Sequence, residues 1–127
     1  MDMKIWKKTS QDEIKERVFN ALKNNKVSKL VQVGIRDICP AEIELINNSE
    51  NRIKTFFDWD IKNAQYEGKT WEQQCKEIIT ELPEKVYISY DIDGLDPKLC
   101  PNTGTPVAGG FEIEQINFLI KFKHEFF

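Results

Sequence analysis

The sequence predicts an α/β protein whose parallel sheet is covered on both faces. Three observations predict it. Strand and helix signals alternate along the chain. Two candidate strands, residues 30–33 and 86–90, are apolar almost throughout, the pattern of strands buried on both sides. Two helix starts carry capping boxes, Ser10-x-x-Glu13 and Thr70-x-x-Gln73, in which side chains satisfy the first backbone N–H groups.

The elements follow in order. Residues 1–8 lack an apolar signal core, and the Lys4, Lys7 and Lys8 cluster reads as a solvated arm. From Ser10 to about Asn24 a helix places Ile14, Val18, Phe19, Ala21 and Leu22 on one face. Residues 30–33 form a short buried strand, which Gly34 breaks. Pro40 suits the first turn of a short helix reaching about Asn47. Residues 52–57 are a weaker strand candidate, and the polar residues 58–69 read as loop. The helix after Thr70 carries Trp71, Cys75, Ile78, Ile79 and Leu82 at helical spacing and stops at Pro83. A strand over 86–90, a loop rich in proline and glycine, and a last helix over about 112–123 complete the chain.

Composition bounds the function. The 127 residues are 40% hydrophobic and 31% charged, ordinary for one globular domain. A net charge of −3 gives no electrostatic case for nucleic acid or an acidic membrane. There is no apolar run of about 18 residues, so no membrane-spanning helix is expected, and a cytosolic location is. Cys39, Cys75 and Cys100 are odd in number and form no C-x-x-C pair, so free reduced thiols are expected.

The chemistry concentrates after the last strand. Asp91 and Asp93 are two apart, so in extended chain both carboxylates face one side. Gly94 ends the strand, and Pro97, Pro101, Gly104, Pro106, Gly109 and Gly110 shape an ordered loop. Carboxylates at a strand's carboxyl end are where hard cations and ligands sit in open α/β sheets. Asp96 is off this alternation and reads as a turn-forming group. Thr103 and Thr105 are expected to bond within the loop, with positioning of a ligand as the alternative, and Arg36-Asp37 to form a structural turn pair, with a substrate role as the alternative.

The stretch Ser89-Tyr90-Asp91-Ile92-Asp93-Gly94-Leu95-Asp96-Pro97, then Thr103-Gly104-Thr105-Pro106 and Gly109-Gly110, closely resembles the ureohydrolases: arginase, agmatinase and formimidoylglutamase. Val31-Gln32-Val33-Gly34-Ile35-Arg36-Asp37 resembles that family's preceding strand and turn. The resemblance implies a three-layer α/β/α domain with a parallel sheet, of which residues 1–127 are an incomplete portion. It implies a dinuclear manganese (Mn2+) hydrolase, with Asp91 bridging both ions and Asp93 binding one. Water activated between the ions would attack a guanidinium carbon, releasing urea and an amine. The small guanidino substrate is expected to be agmatine, giving putrescine for polyamine biosynthesis, with arginase or formimidoylglutamase activity as alternatives. Family members are homo-oligomers.

The departures are large. The family's Gly-Gly-Asp-His and Asp-x-His-x-Asp motifs are absent, and the only histidine, His124, matches neither. The catalytic histidine and the glutamate that meets the substrate have no counterpart. The chain alone is therefore expected to be inactive and to bind manganese weakly, with an exposed sheet edge that the complete enzyme covers. Two other motif readings fail. The haloacid dehalogenase pattern wants Thr or Val where Leu95 stands, and only about thirty residues follow it. An EF-hand loop needs Gly at Asp96 and Glu at Asn102. A non-catalytic fragment or interaction piece stays open as the alternative of another class.

Overall fold

A computed structural model describes residues 2–4, 20, 23–36, 38–90, 94–99 and 108–126. Its described strands are β1 (Asp2–Lys4), β2 (Leu30–Ile35), β3 (Ile53–Phe57) and β4 (Tyr87–Ser89). They form one parallel sheet in the order β3-β2-β1-β4. The helices are α1 (Pro40–Asn47), α2 (Asp58–Tyr66), α3 (Trp71–Thr80) and α4 (Ile113–Phe126). Most of the helix expected over 10–24 lies outside the described residues.

The sheet is buried on both sides at β2, as its apolar run predicts. Val31 and Val33 face a cluster built with Ile61, Cys75, Ile78, Ile79, Leu95, Phe111, Ile116, Leu119 and Phe122. This is the layer of α2, α3 and α4. Leu30 and Ile53 face the other way, against Leu45 and Ile46 of α1. Gln32 lies on that second face too and is buried, its carboxamide oxygen accepting from the Thr55 hydroxyl at 2.9 Å.

Four expectations need correction. The N-terminal arm is a central strand at residues 2–4: Asp2 pairs with both Leu30 and Tyr87. Its position comes from two non-local partners, which a three-residue run with mixed charge does not announce. Residues 58–66 are helix rather than loop. Gly34 does not end β2; at φ +86° it absorbs a register shift between Val33 and Ile35. A Cβ at that position would lie 2.5 Å from Phe111 Cε2, so the bulge admits the ring of a buried core residue. Finally, β4 is not buried. It is the edge of the described sheet, with Tyr87 67% and Ile88 36% exposed, side chains that alternate between its two faces.

The helices around α3 follow the predicted chemistry. Thr70 Oγ1 accepts from the Gln73 backbone N–H at 3.1 Å, and Gln73 Oε1 accepts from the Thr70 N–H at 2.9 Å, closing the capping box. Trp71 Nε1 donates to the Gln115 carbonyl at 2.9 Å and its ring lies 5.5 Å from that of Phe111, joining α3 to α4. Pro40 stands at the start of α1, where its missing N–H costs nothing.

Candidate functional site

The order β3-β2-β1-β4 reverses at β1, and open α/β sheets bind ligands at the carboxyl ends of strands beside such a reversal. Asp91 and Asp93 follow Ser89 of β4 by two and four residues in sequence, and both lie outside the described residues. So do Asp37, Cys100, Thr103 and Thr105. What the structure describes is the loop base that flanks them in sequence.

The loop base is closed by backbone hydrogen bonds. The Phe111 N–H donates to the Gly94 carbonyl at 3.0 Å, and the Asp96 N–H donates to the Phe111 carbonyl at 2.9 Å. Leu95 and Phe111 thus form a short parallel bridge, both buried in the core. Asp96 acts as the turn former expected: its carboxylate accepts from the Lys98 N–H at 3.0 Å and its carbonyl from the Leu99 N–H at 2.9 Å. An ion pair between Lys98 and Glu112 ties the same base on its outer side.

Two cations brace the base from the sheet side. Arg36, at the end of β2, donates through Nη1 to the Gly94 carbonyl at 3.1 Å. Lys62, one turn into α2, donates to the Gly110 carbonyl at 2.8 Å and to Asp58 Oδ1 at 2.9 Å, and stands 5.4 Å from the Phe111 ring centroid. Asp58 is buried, and Lys62 supplies the opposite charge that burial requires. The paired glycines explain themselves here. A Cβ on Gly109 would meet Asp58 Oδ2 at 2.7 Å; one on Gly110 would meet Arg36 Nη1 at 2.5 Å and the Leu95 carbonyl at 2.8 Å. Gly110 also holds φ +97°, where side chains are rare. Arg36 thus has a structural role in bracing this loop, while the turn pair expected with Asp37 lies partly outside the described residues. Asp58 and Lys62 go unnoticed in the sequence because their segment reads as loop; the i,i+4 spacing of opposite charges was the available signal.

The remaining candidates fall away from this base. His124 is exposed in the last turn of α4. Cys39 is buried at the start of α1, its backbone N–H donating to Glu42 Oε2 at 3.2 Å. Cys75 is fully buried, and that burial, with the nearby Glu72 carboxylate, pushes its thiol up to about 12, so it stays protonated and unreactive.

Comparison with known proteins settles the family. A family model described as Arginase family matches residues 6–125. The chain belongs to the arginase family. It is 37% identical over 116 residues to an arginase of Neurospora crassa, covering 89% of this chain and 31% of that protein. It is 38% identical over 81 residues to the mitochondrial arginase-2 of Rattus norvegicus, covering 64% and 22% respectively. Among solved structures, an arginase from Bacillus subtilis aligns with a TM-score of 0.62 at 26% identity, over 76% of this chain and 32% of that one. An Entamoeba histolytica arginase in complex with L-ornithine aligns with a TM-score of 0.61 at 26% identity, over 76% and 31%. The chain thus spans about a third of the length of the Neurospora crassa, Bacillus subtilis and Entamoeba histolytica arginases, and its parallel sheet with flanking helices is an incomplete arginase-like α/β fold.

A dinuclear manganese centre is not what these residues alone fit. Such ions take about six oxygen or nitrogen ligands each. Among the described residues no three His, Cys, Asp or Glu side chains gather to hold a metal. Asp91 and Asp93 would add two carboxylates, and the sequence has a single histidine, which stands exposed on α4.

Proposed function

We propose that this chain carries one metal-binding segment of an arginase-family hydrolase. In the complete protein, Asp91 and Asp93 would be manganese ligands in the hydrolysis of a guanidino substrate to urea and an amine. One observation carries the reading: in a chain matched to the arginase family over residues 6–125, the Asp91–Asp93 pair runs directly into a loop base braced by Arg36 and Lys62. A structure that only needed a turn there would not need two buttressing cations and two glycines held against them.

The substrate class is a monosubstituted guanidine. The matched relatives are named arginases, which makes arginine the first substrate to test. The segments 32–37 and 100–110 look more like agmatinases, so agmatine is the second. The cytosol as location and assembly into homo-oligomers belong to the same proposal.

By itself the chain is proposed to be inactive, because most of the ligands that would hold an attacking water are absent from it. Urea release from arginine or agmatine, with manganese added, should stay at background for the 127-residue chain. Manganese binding, followed calorimetrically, should be weaker than micromolar. In a complete protein containing this segment, Asp91→Ala should abolish turnover and lower metal content, while Leu99→Ala should retain most activity. Chelator-sensitive urea release by the isolated chain, or an active Asp91→Ala enzyme, would overturn the proposal.

A further inference from the structure

The two edges of the sheet are unlike. β3 and β4 each have one side without a strand neighbour among the described residues. β3 carries the exposed Lys54, whose ammonium lies 5.6 Å from the Phe56 ring centroid, and a lysine is a usual guard of an edge against further pairing. β4 has no such guard. Residues 86–90 are uncharged, and Tyr87, Ile88 and Tyr90 are exposed. We infer that β4 is the interface to a second copy of this chain, the two strands pairing antiparallel about a two-fold axis at Ile88.

The occupant follows from the register. Ile88 lies level with Met3 and Val31, on the face toward α2, α3 and α4; Tyr87 lies level with Leu30, on the face toward α1. A two-fold axis normal to the sheet keeps each face on its own side. The two four-stranded sheets then become one, with both helix layers continued across it. With Ile88 opposite itself, Val86 meets Tyr90, Tyr87 meets Ser89, and Lys85 meets Asp91. A β-branched residue against an aromatic is a favourable cross-strand pair, and so are opposite charges; each pair forms twice. Lys85 is exposed, and Asp91 enters by its place in the sequence. Centring on Tyr87 would set Lys85 against Ser89, and centring on Ser89 would set the Tyr87 ring against Asp91.

Any strand could satisfy the open side of the β4 backbone. Charge matching is more selective: it asks for a cation six residues ahead of a carboxylate, which the Lys85-to-Asp91 segment itself supplies. The pairing also closes at two copies. It uses up the open side of β4 in each and leaves only β3 edges, which Lys54 guards. One strand pair with three exposed apolar side chains from each copy is a small interface, so affinity should be weak, on the order of tens of micromolar. The interface needs neither metal nor substrate and stands apart from the hydrolase reading.

The test is sedimentation of the 127-residue chain over a concentration series that brackets the expected affinity. The parent should pass from monomer to dimer and no further. Ile88→Lys sets like charges against each other at the axis and should leave a monomer. Lys85→Asp and Asp91→Lys should each weaken the dimer about fivefold or more, because each turns two attractions into two repulsions. The double variant carrying both exchanges should recover most of the parent affinity. That recovery separates a paired interface from a merely sticky surface, and it also shows that the single variants fold; circular dichroism checks the fold of Ile88→Lys. A parent that stays monomeric, assemblies that grow beyond the dimer, an Ile88→Lys chain that dimerises as the parent does, or a double variant no tighter than the single ones would overturn the inference.

Discussion

Lys62 shows how much one side chain does in this molecule. Its ammonium group joins the start of α2 to the end of the 94–110 loop and neutralises a buried carboxylate. Lys62→Met keeps the aliphatic stem and removes all of this, leaving Asp58 buried without its partner. The expected cost is about 2–3 kcal/mol, read from urea unfolding. Gly110→Ala should cost about 2 kcal/mol or more in the same assay, since strain at positive φ adds to a clash with Arg36 and the Leu95 backbone. Cys75 predicts a pH dependence. Unfolded, its thiol ionises near the ordinary 9.0; folded, burial holds the proton to about 12. Stability contributed by the neutral thiol is complete below pH 9 and is lost as pH rises toward 12, at up to about 1.4 kcal/mol per pH unit. Cys75→Ala should flatten the stability profile above pH 9 relative to the parent, measured by denaturation at stepped pH.

At the scale of elements, legibility tracked how far each element's cause lies from it in sequence. α3 was readable because a local capping box and an apolar face at helical spacing both announce it. Thr70→Ala should cost about 1 kcal/mol through the lost cap. On α4, Leu119 is fully buried, so Leu119→Ala should cost about 2–5 kcal/mol. Leu99, 37% exposed in the loop, should cost about 0.5 kcal/mol or less when cut to Ala. Thermal or chemical denaturation separates the two. α2 was not readable because its two most conspicuous residues point outward: Trp59 and Tyr66 are exposed, and its buried side chains are Ile61 and a carboxylate. A stripe of one isoleucine has no detectable period. The candidate site divided in the same way. The Asp91–Asp93 pair was visible as a spacing, whereas its buttress depends on contacts between residues 36, 58, 62, 94 and 110 that only folding brings together.

For the whole molecule, the sheet's uncovered side has consequences for solution behaviour. Parallel strands normally lie under helices on both faces, yet β4 exposes Tyr87 and Ile88, with Tyr90 exposed just after it, beside an edge without a described neighbour. The isolated chain should associate as its concentration rises, and Ile88→Lys should suppress this, as followed by light scattering. Unchanged association in that variant would place the sticky surface elsewhere.

The placement of β1 between β2 and β4 also sets the timetable of folding. The β2–β3 pair joins Leu30 to Ile53, a short closure that can form as soon as both have been synthesised. The other half of the sheet must wait, because Asp2 finds its second neighbour only when Tyr87 has left the ribosome. Until then β1 has one side of its backbone unpaired. The half of the sheet that leads in sequence toward the acidic pair is thus the later half to close.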